Sequence, residues 1–385
     1  MMQNKGKRLF LKKVLIYGLG KILYPFHSLF SSRKDIWLVG SWFGESYGES
    51  SRYFYEYLLH KGHLVYWVTR NRELFDYLKA EGKPVLYAYD FSSLWYILLA
   101  KVYIMSHNYS DIHYKEWIHK RGLKVELWHG IPLKKIGLDA NQPLLNHFHY
   151  DLFIVSSLEV QKRMASAFGV EEEKVLITGY PRTDPLFCSE PLEKKREKKV
   201  IFYLPTHREQ GRSQDREYIP NEVIIKRLNH LAMKYHFVLK MKFHFHDISA
   251  FSFDMSPYEG IELIKCTTIF SMQEALLETD LLITDYSSVY FDYLPLKRAV
   301  LFSAFDREVY EKENQGLYEP LEEIAIGAIC SDWEVLIEEI IAFFEVPTVI
   351  DTQKWKSVME RFYDIQDCQS SQRLYDEIIK RCGDD

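Results

Sequence analysis

The sequence predicts an α/β protein made of two doubly wound, Rossmann-like domains facing a cleft. Three observations carry this. The chain has 385 residues, too many for one ordinary core. Short apolar, β-branched runs alternate with longer helical patterns along most of its length. A polar, highly charged stretch at 188–199 separates the runs into two series.

In the first series, strands are expected at 35–41, 63–69, 84–89, 101–106, 124–128, 152–156 and 174–178, with helices between them such as 51–61 and 159–168. These runs lack apolar/polar alternation, as in a parallel sheet covered on both faces. Strand–helix alternation makes the doubly wound fold the default. In the second series, strands are expected at 200–204, 237–241, 261–264, 281–284 and 299–302, and 331–381 reads as helices with acidic and basic faces. The expected division is a leader at 1–33, α/β domains at 34–190 and 198–345, and C-terminal helices at 346–385.

The leader is basic at 5–13 and mostly apolar at 14–30. Lys21 interrupts the apolar run, Pro25 and His27 follow, and no Ala-x-Ala cleavage pattern is present. The run is shorter than the ~20 apolar residues of a spanning helix. A helix lying on a membrane surface is expected, with a core-packed leader as the alternative. The seven apolar residues at 94–100 read as a buried helix segment. A formal net charge of -5 argues against nucleic acid as a partner. Cys188, Cys266, Cys330, Cys368 and Cys382 are far apart and odd in number, and no pair has metal-ligand spacing. They read as reduced thiols of a cytoplasmic protein.

Ligands of doubly wound sheets bind beyond the carboxyl ends of the strands, so the residues there are the candidates. His129 directly follows the strand at 124–128; Gly130 and Pro132 turn the chain, and Lys134 and Lys135 come next. Such a histidine can take a proton at neutral pH, and the lysines can hold anionic oxygens. An ordinary surface turn would look the same by spacing alone. Thr206 and Arg208 follow the strand at 200–204, and Arg208 offers a planar fork suited to phosphate. His244 and His246 follow the strand at 237–241 and share a face of an extended chain. No third ligand stands at a fitting spacing, so no metal is expected there, and His244 is a candidate phosphate contact. The strand at 281–284 runs through Thr284 and Asp285 into Ser287 and Ser288, ahead of a helical pattern. Free backbone N–H groups and serine hydroxyls at such a place form an anion site, unless the serines serve only as caps.

Two patterns point away from other chemistries. Gly44-Glu-Ser46-Tyr-Gly48 matches a hydrolase elbow, but that serine must follow its strand directly, and this strand ends near Ser41. Gly44 and Ser46 are left as candidate binding groups in a glycine-rich loop. The absence of an Asp-x-Asp motif disfavours single-domain, metal-dependent sugar transferases.

Five motifs occur in order: Trp128-His-Gly-x-Pro-Leu-Lys134, Gly179-Tyr-Pro-Arg182, Pro205-Thr-x-Arg208, Lys242-x-His244, and Thr284-Asp-Tyr-Ser-Ser288 followed by Phe291-Asp-Tyr293. This series resembles the CDP-glycerol glycerophosphotransferase family, the teichoic acid primases and polymerases, over roughly 36–318. The resemblance implies a GT-B-like fold with an acceptor domain at 34–190 and a nucleotide-donor domain at 198–345. It implies a transferase moving glycerol phosphate or ribitol phosphate from a CDP-linked donor to a hydroxyl of a lipid-linked saccharide or polymer, releasing CMP. It implies His129 as catalytic base, His244 in donor phosphate handling, and Lys134, Thr206, Arg208, Thr284, Asp285, Ser287 and Ser288 around the donor phosphates. Arg182, with Gly44 and Ser46, falls on the acceptor side. No cofactor is required; Mg²⁺ is compatible but not implied. The expected setting is the inner face of the cell membrane. Long polymerases of the family carry extra N-terminal modules, so this chain resembles a minimal catalytic unit. Two alternatives stay open: a GT-B glycosyltransferase using a nucleotide sugar, and a non-catalytic membrane-bound assembly protein.

Overall fold

The computed structural model describes residues 2–30, 33–142, 150–189, 196–206, 208, 217–243, 247, 253–265, 267–313, 316–346 and 350–383. Its first sheet contains β1 (Arg33–Val39), β2 (Val65–Thr69), β3 (Val85–Tyr87), β4 (Ala100–Met105), β5 (Leu123–Glu126), β6 (Leu152–Val155) and β7 (Val175–Ile177). These pair in parallel in the order β3-β2-β1-β4-β5-β6-β7. The second sheet contains β8 (Lys199–Leu204), β9 (Phe237–Met241), β10 (Ile261–Leu263), β11 (Leu281–Thr284), β12 (Ala299–Ser303) and β13 (Ile329–Cys330). They are parallel in the order β10-β9-β8-β11-β12-β13. Each expected strand is present within a few residues. The strand β13 was not anticipated, because two residues carry no readable run.

The described α-helices are α1 (Met2–Leu23), α2 (Glu49–His60), α3 (Arg72–Ala80), α4 (Phe91–Leu99), α5 (Leu158–Phe168), α6 (Asp184–Phe187), α7 (Glu222–Tyr235), α8 (Met272–Glu278), α9 (Val289–Tyr293), α10 (Arg307–Glu313), α11 (Leu321–Ile324), α12 (Trp333–Glu345), α13 (Thr352–Phe362) and α14 (Ser370–Gly383). Local chemistry sets their ends. Asn71, Ser157 and Asn221 accept hydrogen bonds from the first-turn N–H groups of Leu74, Val160 and Ile224. Gly169 closes α5 in the left-handed region at φ 61°. All residues of β4 and β6 are buried, which explains their continuous apolar runs.

The order of each sheet reverses direction once. In the first sheet β1 and β4 lie side by side, and in the second β8 and β11 do. Their carboxyl ends are the switch points where such folds bind ligands. They place Ser41–Trp42 beside Ser106–His107 in one domain, and Thr206 beside Asp285 in the other.

The leader forms a helix with one packed face and one exposed face. One face of α1 packs on the first domain: Ile16 is buried, its carbonyl accepts from the Trp117 indole N–H at 3.0 Å, and Lys12 pairs with Asp90 at 3.2 Å. The other face leaves Phe10, Leu11, Val14, Leu15 and Ile22 exposed. Among the described residues no helix is long and apolar enough to cross a membrane. The segment at 94–100 ends α4 and enters β4, with Leu94, Ile97 and Leu98 buried as expected.

The C-terminal helices return to the first domain. The Asp184 carboxylate accepts from the N–H groups of Ser370 and Ser371, both at 3.0 Å, and Arg381 donates to the Asp151 carbonyl at 2.8 Å. This return corrects the cysteine reading. Cys188 and Cys368 are 180 residues apart in sequence, but their Cα atoms lie 5.7 Å apart and they form a disulfide. Sequence spacing shows isolated thiols because the pairing depends on how the tail folds back.

Candidate functional site

A cavity of about 380 Å³ opens between the two sheets. One wall is the segment after β5, including His129, Gly130 and Lys134; the other carries Thr206, Lys242, Tyr286, Ser287 and Ser288. Strand ends from both domains thus converge, as the topology requires. Short backbone pairings hold the walls together: Lys135 N–H donates to the Gly316 carbonyl and Tyr318 N–H to the Leu133 carbonyl, both at 3.0 Å.

His129 keeps a window on this cavity while protein surrounds the rest of its ring. Its Nδ1 faces the Ser106 carbonyl at 3.4 Å, a pairing that favours the Nδ1–H tautomer and leaves Nε2 with its lone pair. The ring stacks on His107 with centroids 4.4 Å apart. Burial, then the neighbouring His107, lowers the His129 pKa to about 3. Burial lowers His107 to about 4. Both rings are therefore neutral at physiological pH. The Asp111 carboxylate under them is fully buried and accepts from the N–H groups of Phe43, Ser106 and His107 at 2.7, 2.8 and 2.8 Å.

Behind Gly130 lies a buried ion network joining the domains. The Arg182 guanidinium donates to Asp292 of α9 at 2.8 Å and to Glu49 of α2. Burial works against the charge on Arg182, but Asp292 and Glu49 outweigh it and hold its pKa above the ordinary value. Burial raises Asp292 to about 6 in spite of Arg182. Gly130 has φ 132°, and a Cβ there would sit 2.4 Å from an Arg182 Nη. The turn carrying His129 is thus pressed against the network, and only glycine fits.

On the opposite side the predicted donor residues form two layers. Ser287 and Ser288 line the cavity, half-buried, and the Ser287 hydroxyl accepts from Val289 N–H at 3.3 Å. Thr206 lines it too, while its N–H and hydroxyl donate to Asp285 at 2.8 and 2.6 Å. Asp285, Thr284 and Arg208 lie beneath. Arg208 is buried, bonds Asp285 at 2.9 Å and Asp306 at 2.7 Å, and is packed among the rings of Tyr218, Tyr286 and Tyr310. Its fork is filled by carboxylates, so it braces the Thr206 and Asp285 strand ends and does not face the cavity. The Thr284 hydroxyl donates to the Leu204 carbonyl at 2.8 Å, a tie between β11 and β8. The cavity wall carries Lys134 and Lys242, the side chains of Thr206, Ser287 and Ser288, and the neutral His129 imidazole.

The family described as CDP-Glycerol:Poly(glycerophosphate) glycerophosphotransferase matches residues 22–380. The chain belongs to this family. Among its relatives, the teichoic acid glycerol-phosphate transferase of Staphylococcus aureus (strain NCTC 8325 / PS 47) is 28% identical over 90% of this chain and 93% of the relative. The teichoic acid poly(glycerol phosphate) polymerase of Bacillus spizizenii (strain ATCC 23059 / NRRL B-14472 / W23) is 26% identical over 97% of this chain and all (100%) of the relative. The solved wall teichoic acid polymerase TagF superposes with a TM-score of 0.73 at 22% identity, covering 100% of this chain and 98% of that one. A UDP-GlcNAc 2-epimerase from Neisseria meningitidis superposes with a TM-score of 0.53 at 13% identity, covering 90% of this chain and 100% of that one. The fold is GT-B-like, and the chain is a polyol-phosphate transferase of the teichoic acid type.

In this glycerophosphotransferase the structure unites His129, Lys134, Thr206, Ser287 and Ser288 on one cavity. It sets Thr284, Asp285, Arg208 and Arg182 behind the walls. Gly44 lies in the loop after β1 at φ 79°, where its carbonyl accepts from Arg70 N–H and the Thr69 hydroxyl; neither it nor half-buried Ser46 lines the cavity. His244 lies outside the described residues, as do His207, Phe245 and His246. Sequence reasoning assigned no role to Lys242, Asp292, Glu49 or His107. The first two stood inside quoted motifs and were available; Glu49 and His107 gave no local signal. Among the described residues, no group of three or more His, Cys, Asp or Glu is placed to hold a metal ion.

Proposed function

We propose that this glycerophosphotransferase binds a CDP-polyol in the interdomain cavity and transfers the polyol phosphate to an acceptor hydroxyl with His129 as general base. The observation carrying this is the neutral His129 imidazole on the same cavity as Lys134, Lys242, Thr206, Ser287 and Ser288. His129 Nε2 takes the acceptor proton. The acceptor oxygen attacks the β-phosphorus, which bears the polyol, and the bond to the α-phosphate oxygen breaks, so CMP leaves with that electron pair. The lysines and hydroxyls hold the charge on the transferring group; phosphoryl transfer depends mainly on such positioning and electrostatics. Arrival of an anionic donor raises the His129 pKa from its low resting value and makes it a better proton acceptor. The donor carries glycerol phosphate or ribitol phosphate, and His244 assists with its phosphates.

The acceptor is a lipid-linked saccharide or a polymer built on one, used at the inner face of the cell membrane. Exposed Phe10, Leu11, Val14, Leu15, Ile22 and Phe26 support a membrane-lying leader, and Phe91 and Trp95 of α4 extend that apolar surface. Phe30 and Trp95 have rings 6.2 Å apart, so the two patches adjoin.

The test is CMP release from CDP-glycerol and CDP-ribitol with a lipid-linked disaccharide acceptor. His129→Ala is expected to stay folded, keep donor binding and lose at least about 10²-fold in turnover. Near-normal turnover of that variant would sink the assignment. CDP and CMP are expected to raise the melting temperature and UDP to leave it unchanged; the reverse would favour a nucleotide-sugar transferase.

A further inference from the structure

The loop leaving β1 is held in an unusual shape. Trp42, Phe43 and Gly44 are consecutive residues with positive φ, at 47°, 58° and 79°. Glycine adopts this region freely, but two aromatic residues persist there only when their surroundings hold them. Here they do. Phe43 N–H donates to the sealed Asp111 carboxylate at 2.7 Å, and the Gly44 carbonyl accepts from Arg70 N–H at 2.8 Å and from the Thr69 hydroxyl at 2.7 Å.

What this shape accomplishes is exposure. Trp42 and Phe43 remain 43% and 44% exposed although they stand at the switch point of a sheet whose core is full of aromatics. Their rings adjoin the proposed base. The Trp42 ring is 4.4 Å from His107 and 6.2 Å from His129, and Phe43 is 5.3 Å from His107. An aromatic tier therefore runs from solvent to His129.

This surface suits a neutral ligand. His107 and His129 are uncharged, and Asp111 is fully buried. The adjacent cation, Arg70, has its guanidinium over the Tyr114 ring at 5.6 Å. The cavity's lysines, Lys134 on the segment after β5 and Lys242 just after β9, line its two walls and are not among the ring contacts of Trp42 and Phe43. A phosphodiester chain end would need cations at the tier, whereas the C–H face of a sugar ring packs on aromatic rings without them.

We propose that Trp42 and Phe43 form the platform on which an uncharged sugar ring of the acceptor stacks, presenting its hydroxyl to His129. This rests on the transferase function proposed above and adds the acceptor class and the residues that select it.

The experiment uses the full chain with two acceptors: a disaccharide on a short-chain lipid diphosphate, and a short oligo(glycerol phosphate). CMP release gives KM and kcat for wild type, Trp42→Ala, Trp42→Phe and Phe43→Ala, and calorimetry gives the affinity for CDP-glycerol. Trp42→Ala is expected to raise the saccharide KM by about 5–10-fold, the loss of one aromatic stacking contact. Donor affinity and melting temperature should stay near wild type, and Trp42→Phe should recover most of the loss. An unchanged saccharide KM in Trp42→Ala would overturn the platform. So would an equal rise for the oligo(glycerol phosphate), since a saccharide-selective surface must distinguish the two. If Trp42→Ala misfolds, Phe43→Ala carries the same comparison. Absence of CMP release by wild type with every donor would defeat the transferase assignment instead, and is distinguishable because it precedes any comparison of variants.

Discussion

At the scale of single residues, the site is defined by what stands behind the reactive groups. Gly130 shows this most directly. Its φ of 132° is closed to most side chains, and its missing Cβ leaves room for the Arg182 guanidinium. Gly130→Ala must move either the guanidinium or the turn that carries His129. We expect it to lose at least about 10-fold in turnover, because misplacing a catalytic group by ~1 Å is costly, and to lower stability by about 1–3 kcal/mol from backbone strain. Steady-state CMP release and denaturant unfolding measure the two effects; wild-type values for both would contradict the packing described. Arg182 itself is a positioning residue. Removing it would leave Asp292 buried without its cation and Glu49 without its partner, a change that typically costs about 3–5 kcal/mol. Arg208 plays the same part in the second domain, fixing Asp285 and through it Thr206.

At the scale of elements, α1 is the piece whose two faces differ most. Its inner face is tied down by Trp117, Asp90 and the buried Ile16 side chain, while its outer face presents large apolar residues to solvent. Burying one such side chain in lipid contributes roughly 1.5–3 kcal/mol, about a 10- to 150-fold change in partitioning. Replacing Phe10, Leu11, Val14 and Leu15 by serine should therefore abolish co-sedimentation with anionic phospholipid vesicles and leave CMP release from a soluble acceptor within about twofold of wild type. Equal sedimentation of variant and wild type would show that another surface binds lipid. The apolar residues of α1 are thus divided between a packed face and an exposed one.

At the scale of the whole molecule, charges join the two domains behind the cleft, and buried histidines held uncharged make stability depend on pH. Burial lowers His107 to about 4 and His113 and His129 to about 3. In the unfolded chain each titrates near ~6.5. Between these values the unfolded state binds protons that the folded state refuses, so these groups make stability fall as pH falls below ~6.5. Glu126 acts in the opposite sense: burial and Asp111 hold its pKa well above 4.5, so its folded form keeps a proton and its contribution is lost as pH rises. His113 is remote from the reacting groups and isolates one term. It is fully buried, with Nε2 donating to the Ala88 carbonyl at 3.0 Å. His113→Asn should flatten the loss of stability between pH 6.5 and 4.5 by up to about one proton, roughly 1.4 kcal/mol per pH unit. Urea midpoints across that range check it; parallel slopes for variant and wild type would show that His113 is not held neutral.

The strands and the first candidates were legible in the sequence because both are local signals. A buried parallel strand must be a short apolar run, and the residue after it must lie at a sheet end, so His129, Thr206, Ser287 and Ser288 could be named from position alone. Pairings between distant segments were not legible. Arg208 and Arg182 read as free cations because Asp306, Asp292 and Glu49 reach them only through the fold. Cys188 and Cys368 read as single thiols because α14 and the turn before it return to the first domain. Trp42 and Phe43 carried no signal in the sequence, since nothing local reveals that a carboxylate at position 111 holds the backbone of this loop in the left-handed region. Local composition thus determined which elements form and which groups stand at their ends. The tertiary structure decided which of those groups face the cleft and which are consumed in holding it, because charge pairing, stacking and burial act across space and leave no periodicity in the chain.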